Sequence, residues 1–200
     1  MFVVATRIDM SILRIVWDGL LFKHFGPVRL AEAVGFRLAW LIQKRIQKLA
    51  LREPACSIVI AYDDEGNDMF PPAIGVGTER ERAQWLQRGG EDTKDRIWNP
   101  AGFENYARGD LDLNTDVILS AMCQRLNRHI RDNEKWAAGR TLLASIATHL
   151  RSINWNRMLP IANEFVVYEV DLEMARLNES LRNAVGDETV DQWRQRQLVR

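Results

Sequence analysis

The run CSIVIAY, residues 56–62, constrains the fold more than any other stretch of the chain. It is β-branched and apolar, carries no charge, and has the length of a strand buried in the centre of a sheet. The acids, glycine and asparagine of YDDEGND (62–68) that follow are turn formers. A second run of the same character, EFVVYEV (164–170), stands far along the chain. MFPPAIGVG (69–77) reads as a further extended segment, limited to a sheet edge by its prolines.

The rest of the chain carries helical spacing. Leu30, Val34, Leu38, Leu41, Ile42, Ile46 and Leu49 step by threes and fours, which predicts a long amphipathic helix over 28–52 closed by Pro54. Ile12, Ile15, Val16, Leu20 and Phe22 predict a shorter helix from Ser11, its N-cap, to the stop at Gly26-Pro27. Thr78 and Glu81 form a capping box ahead of a helix that ends at Gly89-Gly90. Residues 116–131 and 135–152 read as two more helices, broken at Asp132-Asn133, and an acid-led helix is expected from about 171 to 184. These elements predict an α+β fold: a small, mainly antiparallel sheet that includes 56–62 and 164–170, packed against several helices in a single domain.

The expected organisation is an N-terminal extension with a short helix (1–27), the α+β domain (28–185) and a polar C-terminal tail (186–200). Met10 is an alternative start, so residues 1–9 read as an extension. Two hundred residues are enough to bury a core without disulfides or a structural metal. Arg7, Asp9, Arg14 and Asp18 interrupt the N-terminal apolar residues well short of the ~20 that a membrane span needs. A signal peptide fits poorly for the same reason, and Cys56 and Cys123 read as buried thiols of a reducing compartment. The expectation is a cytoplasmic protein with no membrane partner.

Lysine plus arginine and aspartate plus glutamate each total 27, so no global field favours nucleic acid. The basic residues Arg37, Lys44, Arg45, Lys48 and Arg52 read as the wet face of the long helix. His24, His129 and His149 stand in no zinc-binding pattern, no G-x-S-x-G is present, and Cys56 within an apolar strand is the reverse of an activated thiol. The glycines of IGVGTERERAQW lack the spacing of a dinucleotide loop and the lysine of a P-loop. No cofactor is expected. Asp63, Asp64, Glu65 and Asp68 are the candidate metal ligands, but adjacent acids without a closing glutamate suit a solvated hairpin turn better than a calcium loop. The segment 91–115 has little periodicity yet holds Trp98, Phe103 and Tyr106, which must be buried by the domain or offered to a partner.

The order of these pieces resembles a bacterial family called domain of unknown function 4303. The likeness runs through the strand ending in Y-D-D-E-G, the Pro72-Ala73 step, TERERAQWL, the W-N-P motif with Phe103 and Tyr106 after it, and EFVVYEVDLEMARLNESL with its Leu177-Asn178 step. Phe103 stands where that family commonly has a tryptophan-like residue, and PPAIGVGT lacks the asparagine of its P-A-A-N-T step. The resemblance implies a bacterial cytoplasmic domain, similar in style to the immunity partners encoded beside toxins, and implies no catalytic residues. The favoured function is a non-enzymatic protein-interaction module, immunity-type or regulatory, acting through another protein. In that reading Trp98, Phe103 and Tyr106 anchor the contact while Glu104, Asp110 and Asp112 steer a basic partner. The alternative is a metal-dependent hydrolase or nucleotide-handling enzyme built on the acidic turn 63–68.

Overall fold

The computed structural model describes residues 10–63, 67–90, 93–196 and 198–199. The chain runs α1 (Met10–Leu21), α2 (Pro27–Lys48), β1 (Ala55–Tyr62), β2 (Ala73–Thr78), α3 (Glu79–Arg88), α4 (Thr93–Arg96), β3 (Asn105–Tyr106), α5 (Val117–Asp132), α6 (Trp136–Arg151), β4 (Ile161–Asp171), α7 (Leu177–Val185) and α8 (Asp187–Gln195). This is an α+β fold around a sheet of order β3-β2-β1-β4. β1 is antiparallel to β2 and β2 to β3, whereas β1 and β4 run parallel, with Ile58 opposite Val167 and Ile60 opposite Glu169. Both faces of the sheet are covered, which is why β1 runs apolar from Ile58 to Ala61 rather than alternating, and why all of it, Ser57 included, is buried.

One face of the sheet presents Ile58, Ile60 and Val167 to a core filled by α2, α5 and α6, with Leu38, Ile42, Leu119, Leu126, Leu143 and Leu150 at its centre. The opposite face presents Val59, Val166, Tyr168 and Val170 to Trp98, Leu181, Val190 and Trp193. This second core corrects the expected polar tail: residues 187–195 are helical, and Val190, Trp193, Leu198 and Val199 are all buried. Only two inward residues in a nine-residue helix leave too faint a period to see in DETVDQWRQ. The acid-led helix likewise begins later than expected, at Leu177. β4 continues to Asp171, whose carboxylate accepts the backbone N–H groups of Ala175 and Arg176 and holds the intervening residues in a turn.

The IGVG segment is strand β2. A Cβ at Gly77 would lie 2.9 Å from the Phe103 ring and 2.6 Å from the Ser57 hydroxyl, and one at Gly75 only 2.7 Å from Val59. The glycines therefore make room for a ring against the sheet. The capping box is formed as expected, and Glu81 also ties α3 to the aromatic loop. One of its oxygens accepts Thr78 N–H at 2.7 Å, and the other accepts Glu104 N–H at 2.5 Å. Two further polar ties join distant elements. Buried Asn127 on α5 accepts Phe70 N–H and donates to Phe70 O, securing the chain between β1 and β2. Arg37 on α2 makes a two-pronged contact with Asp116, at 2.8 Å to Oδ2 and 2.9 Å to Oδ1, while Asp116 also caps α5 through Leu119 N–H.

Candidate functional site

The aromatic loop is scaffolding for the second core. Trp98 is buried, stacks on Trp193 with ring centres 5.0 Å apart, meets Tyr168 edge-on, and donates its indole N–H to Leu198 O at 2.7 Å. Phe103 is buried over Gly75 and Gly77. Neither ring reaches the surface, which corrects their expected role as anchors of a partner. Tyr106 is half-buried in β3, where burial pushes its hydroxyl pKa up. Glu104 is exposed and joined to Arg80, which also holds Glu53. Asp110 offers its backbone carbonyl to Arg45, and the Asp112 carboxylate accepts Asn114 N–H at the start of a 3-10 turn. The three acids lie along the loop without assembling around an aromatic contact.

In the acidic turn, Asp63 accepts a hydrogen bond from Asn67 at 2.7 Å and Asp68 pairs with Arg131 at 3.3 Å. Asp64 and Glu65, the other candidate ligands, lie outside the described residues. Among the described residues no three His, Cys, Asp or Glu side chains gather in a way that could hold a metal ion. Both cysteines are free and buried, and burial pushes the Cys56 thiol up to about 11. Neither thiol is activated for nucleophilic attack.

Two other regions depart from an ordinary surface. The first is α1, whose orientation is the reverse of what apolar burial would choose. Ile15, 6% exposed, faces inward together with Asp18 and Gly19. Ile12, Leu13, Val16, Trp17, Leu20 and Leu21 face out, with Trp17 60% and Leu20 66% exposed. The inward Asp18 is bonded to Arg29 of α2, with Arg14 3.6 Å away, and Gly19 lets Ile118 of α5 approach. Arg125 of α5 fixes the following turn by donating to Phe22 O and Phe25 O at 2.6 and 2.7 Å. Beside α1 a groove of about 740 Å³ runs between α2 and α6, lined by apolar side chains including Val28, Phe36, Trp40, Leu142 and Ile146. The sequence held a signal for this face. α1 is apolar nearly all round, and such a helix is buried in something.

The second region is a polar cleft of about 260 Å³ between α6 and α7, over the C-terminal ends of β1 and β4. Tyr62 and Glu169 line it from the strands, Arg140 and Thr141 from α6, and Glu179 and Ser180 from α7. Glu169 is 5% exposed, and its Oε2 has no hydrogen-bond partner. Burial raises its pKa and Glu179 raises it further, against the opposing pull of a backbone N–H and of Arg151. Glu169 falls in an apolar-looking strand, and only the parallel pairing brings it beside Tyr62 and under α6 and α7.

No family model, curated protein or solved structure matches the chain. The likeness through the Y-D-D-E-G and W-N-P segments remains a resemblance, and the functional reading rests on the residues themselves. No helix among the described residues is long and apolar enough to cross a membrane.

Proposed function

We propose that the chain is a non-enzymatic protein-interaction module, and that the partner covering its α1 face is a second copy of the chain. The observation that carries this reading is the outward apolar ridge of α1. Together with Val28 it exposes seven large apolar side chains, more than the singly scattered ones that monomers ordinarily leave to water. The adjoining groove of about 740 Å³ extends this apolar face. The complement lies next to it: an open groove between two helices accepts the apolar side of a third, and α1 is such a helix. Ridge and groove on one face suit a twofold contact in which each copy fills the other. Lipid is a poorer match, since α1 carries one arginine and one aspartate rather than a basic belt.

Sedimentation velocity of the full chain tests the reading, alone and as the Trp17→Asp, Leu20→Asp double variant. A concentration-dependent dimer lost in a variant that keeps its circular dichroism spectrum is the expected result. A wild-type chain that stays monomeric at about 100 μM, whether or not it co-sediments with phosphatidylcholine vesicles, overturns the second-copy assignment.

A further inference from the structure

The cleft between α6 and α7 carries an inference independent of the α1 face. A nearly buried carboxylate oxygen without a donor is rare in folded proteins, and it marks a strain, an unseen partner or a function. Glu169 Oε2 is such an atom; Asp18 Oδ2 and Glu79 Oε2 also accept no hydrogen bond, but each is ion-paired with an arginine, at 3.6 and 2.8 Å, whereas Glu169 forms no such pair among the described residues and lines an open cleft. Packing does not demand an acid there, because its neighbours along β4, Val167 and Val170, are ordinary core residues. The position has its own logic. In open α/β sheets ligands bind beyond the carboxyl ends of the parallel strands, and Glu169 and Tyr62 stand at the corresponding end of β1 and β4, which pair in parallel here.

The size of the cleft limits what it can take. About 260 Å³ is far more than the ~30 Å³ share of one water, and lies just below the ~300 Å³ at which pockets for drug-sized molecules begin. Its charge pattern limits the chemistry. The carboxylate of Glu169 lies at the floor, while Arg140 and exposed Arg176 stand on the walls, Arg176 in a long contact of 3.5 Å with exposed Glu179. Thr141, Ser180 and Asn183 supply neutral hydrogen-bonding groups around them. A bare cation would satisfy Glu169 but would sit among arginines, and a bare anion would meet the buried acid. A molecule with an ammonium at one end and a carboxylate at the other matches both.

We propose that this cleft binds a small zwitterionic metabolite of amino-acid size, its ammonium donating to Glu169 and its carboxylate facing Arg140 and Arg176. Binding would give Glu169 Oε2 the donor it lacks, and a charge-assisted hydrogen bond away from water is among the stronger single contacts available. Glu169 is then a recognition residue, with no bond made or broken.

Isothermal titration calorimetry on the full chain with glycine, β-alanine and γ-aminobutyrate tests this, with acetate and methylammonium as single-charge controls. The expected result is saturable binding of at least one zwitterion, stronger than either control, and weakened at least tenfold by Glu169→Gln. Arg176→Ala, a surface change with no consequence for folding, should weaken it as well. Affinity should fall as pH drops and Glu169 takes a proton; the other charged groups facing it are Arg140, Arg151, Arg176 and Glu179. No binding of any zwitterion at about 10 mM, binding indifferent to both substitutions, or equal binding of acetate or methylammonium overturns the assignment. Self-association through α1 is read in a separate experiment, so either proposal can fail alone.

Discussion

The α1 face and the Glu169 cleft break the same rule from opposite sides. At α1, apolar side chains stand in water while an aspartate is turned inward; in the cleft, a carboxylate is turned inward without a partner. The two are nonetheless different kinds of exception. Asp18 is bonded to Arg29 through Oδ1 and has Arg14 3.6 Å from Oδ2, so although Oδ2 accepts no hydrogen bond its charge is paired, and what α1 leaves to solvent is apolar area. Such area is satisfied by any surface of the right shape. Glu169 is uncovered in its hydrogen bonding, which only a donor in one place can satisfy. Extended apolar exposure therefore points to a large partner, and a single unmet acceptor to a small one.

The largest expected effect separates two tryptophans. Trp98→Ala should lower stability by about 3–5 kcal/mol, because it opens a cavity in the second core and strands Leu198 O. Denaturant melts measure this. If Trp98→Ala instead left stability intact and abolished association, the loop would be the interface and the comparison would collapse. The Trp17→Asp, Leu20→Asp pair should act the other way, weakening self-association at least a hundredfold with little change in the denaturation midpoint.

Half-buried Asp116 and buried Glu169 respond to pH in opposite directions. Burial alone would raise Asp116, but its hydrogen bonds to Arg37 and to Leu119 N–H outweigh burial and hold its carboxyl below its ordinary value. The stability it contributes is present above the ordinary aspartate range and is lost as pH falls through its lowered value. Asp116→Asn, which keeps a cap but loses the ion pair, should cost about 1–3 kcal/mol at neutral pH and nothing in strong acid. Glu169 has the opposite sign. Its raised pKa means that its contribution is most favourable below the ordinary glutamate range and is lost as pH rises through the folded value. Glu169→Gln should therefore raise the melting midpoint slightly at pH 8, with the gain vanishing toward pH 4. A variant that is stabilised and at the same time loses ligand would be the signature of an acid kept for binding.

Local order was legible wherever the chain repeats a period or completes a small motif. The long helix, the helical pair around Asp132-Asn133, the Thr78–Glu81 box and the strands at 56–62 and 164–170 follow from neighbours in sequence. The parallel pairing of β1 with β4 does not, because roughly a hundred residues separate them and either direction buries the same apolar run. That pairing creates the cleft, so Glu169 could not be singled out from VVYEV alone. Trp98 and Phe103 show the other limit. Their sequence environment looked irregular, and the partners that bury them, Trp193, Leu198 and the glycines of β2, come from segments read as a tail and as an edge. The reversed set of α1 was the most readable of the features missed, since its apolar residues exceed what one inward stripe can hide.

The closure of Trp98 over Trp193 and Leu198 also sets an order of events during synthesis. The hairpin of β1 and β2, with α2 beside it, can form while the chain is still being made, but the second face of the sheet has only the coverage of earlier residues such as Trp98 and Leu181 until residues 190–199 have left the ribosome. Through that interval Trp98 lacks the ring of Trp193 and the carbonyl of Leu198, so the second core is the part of the fold completed last.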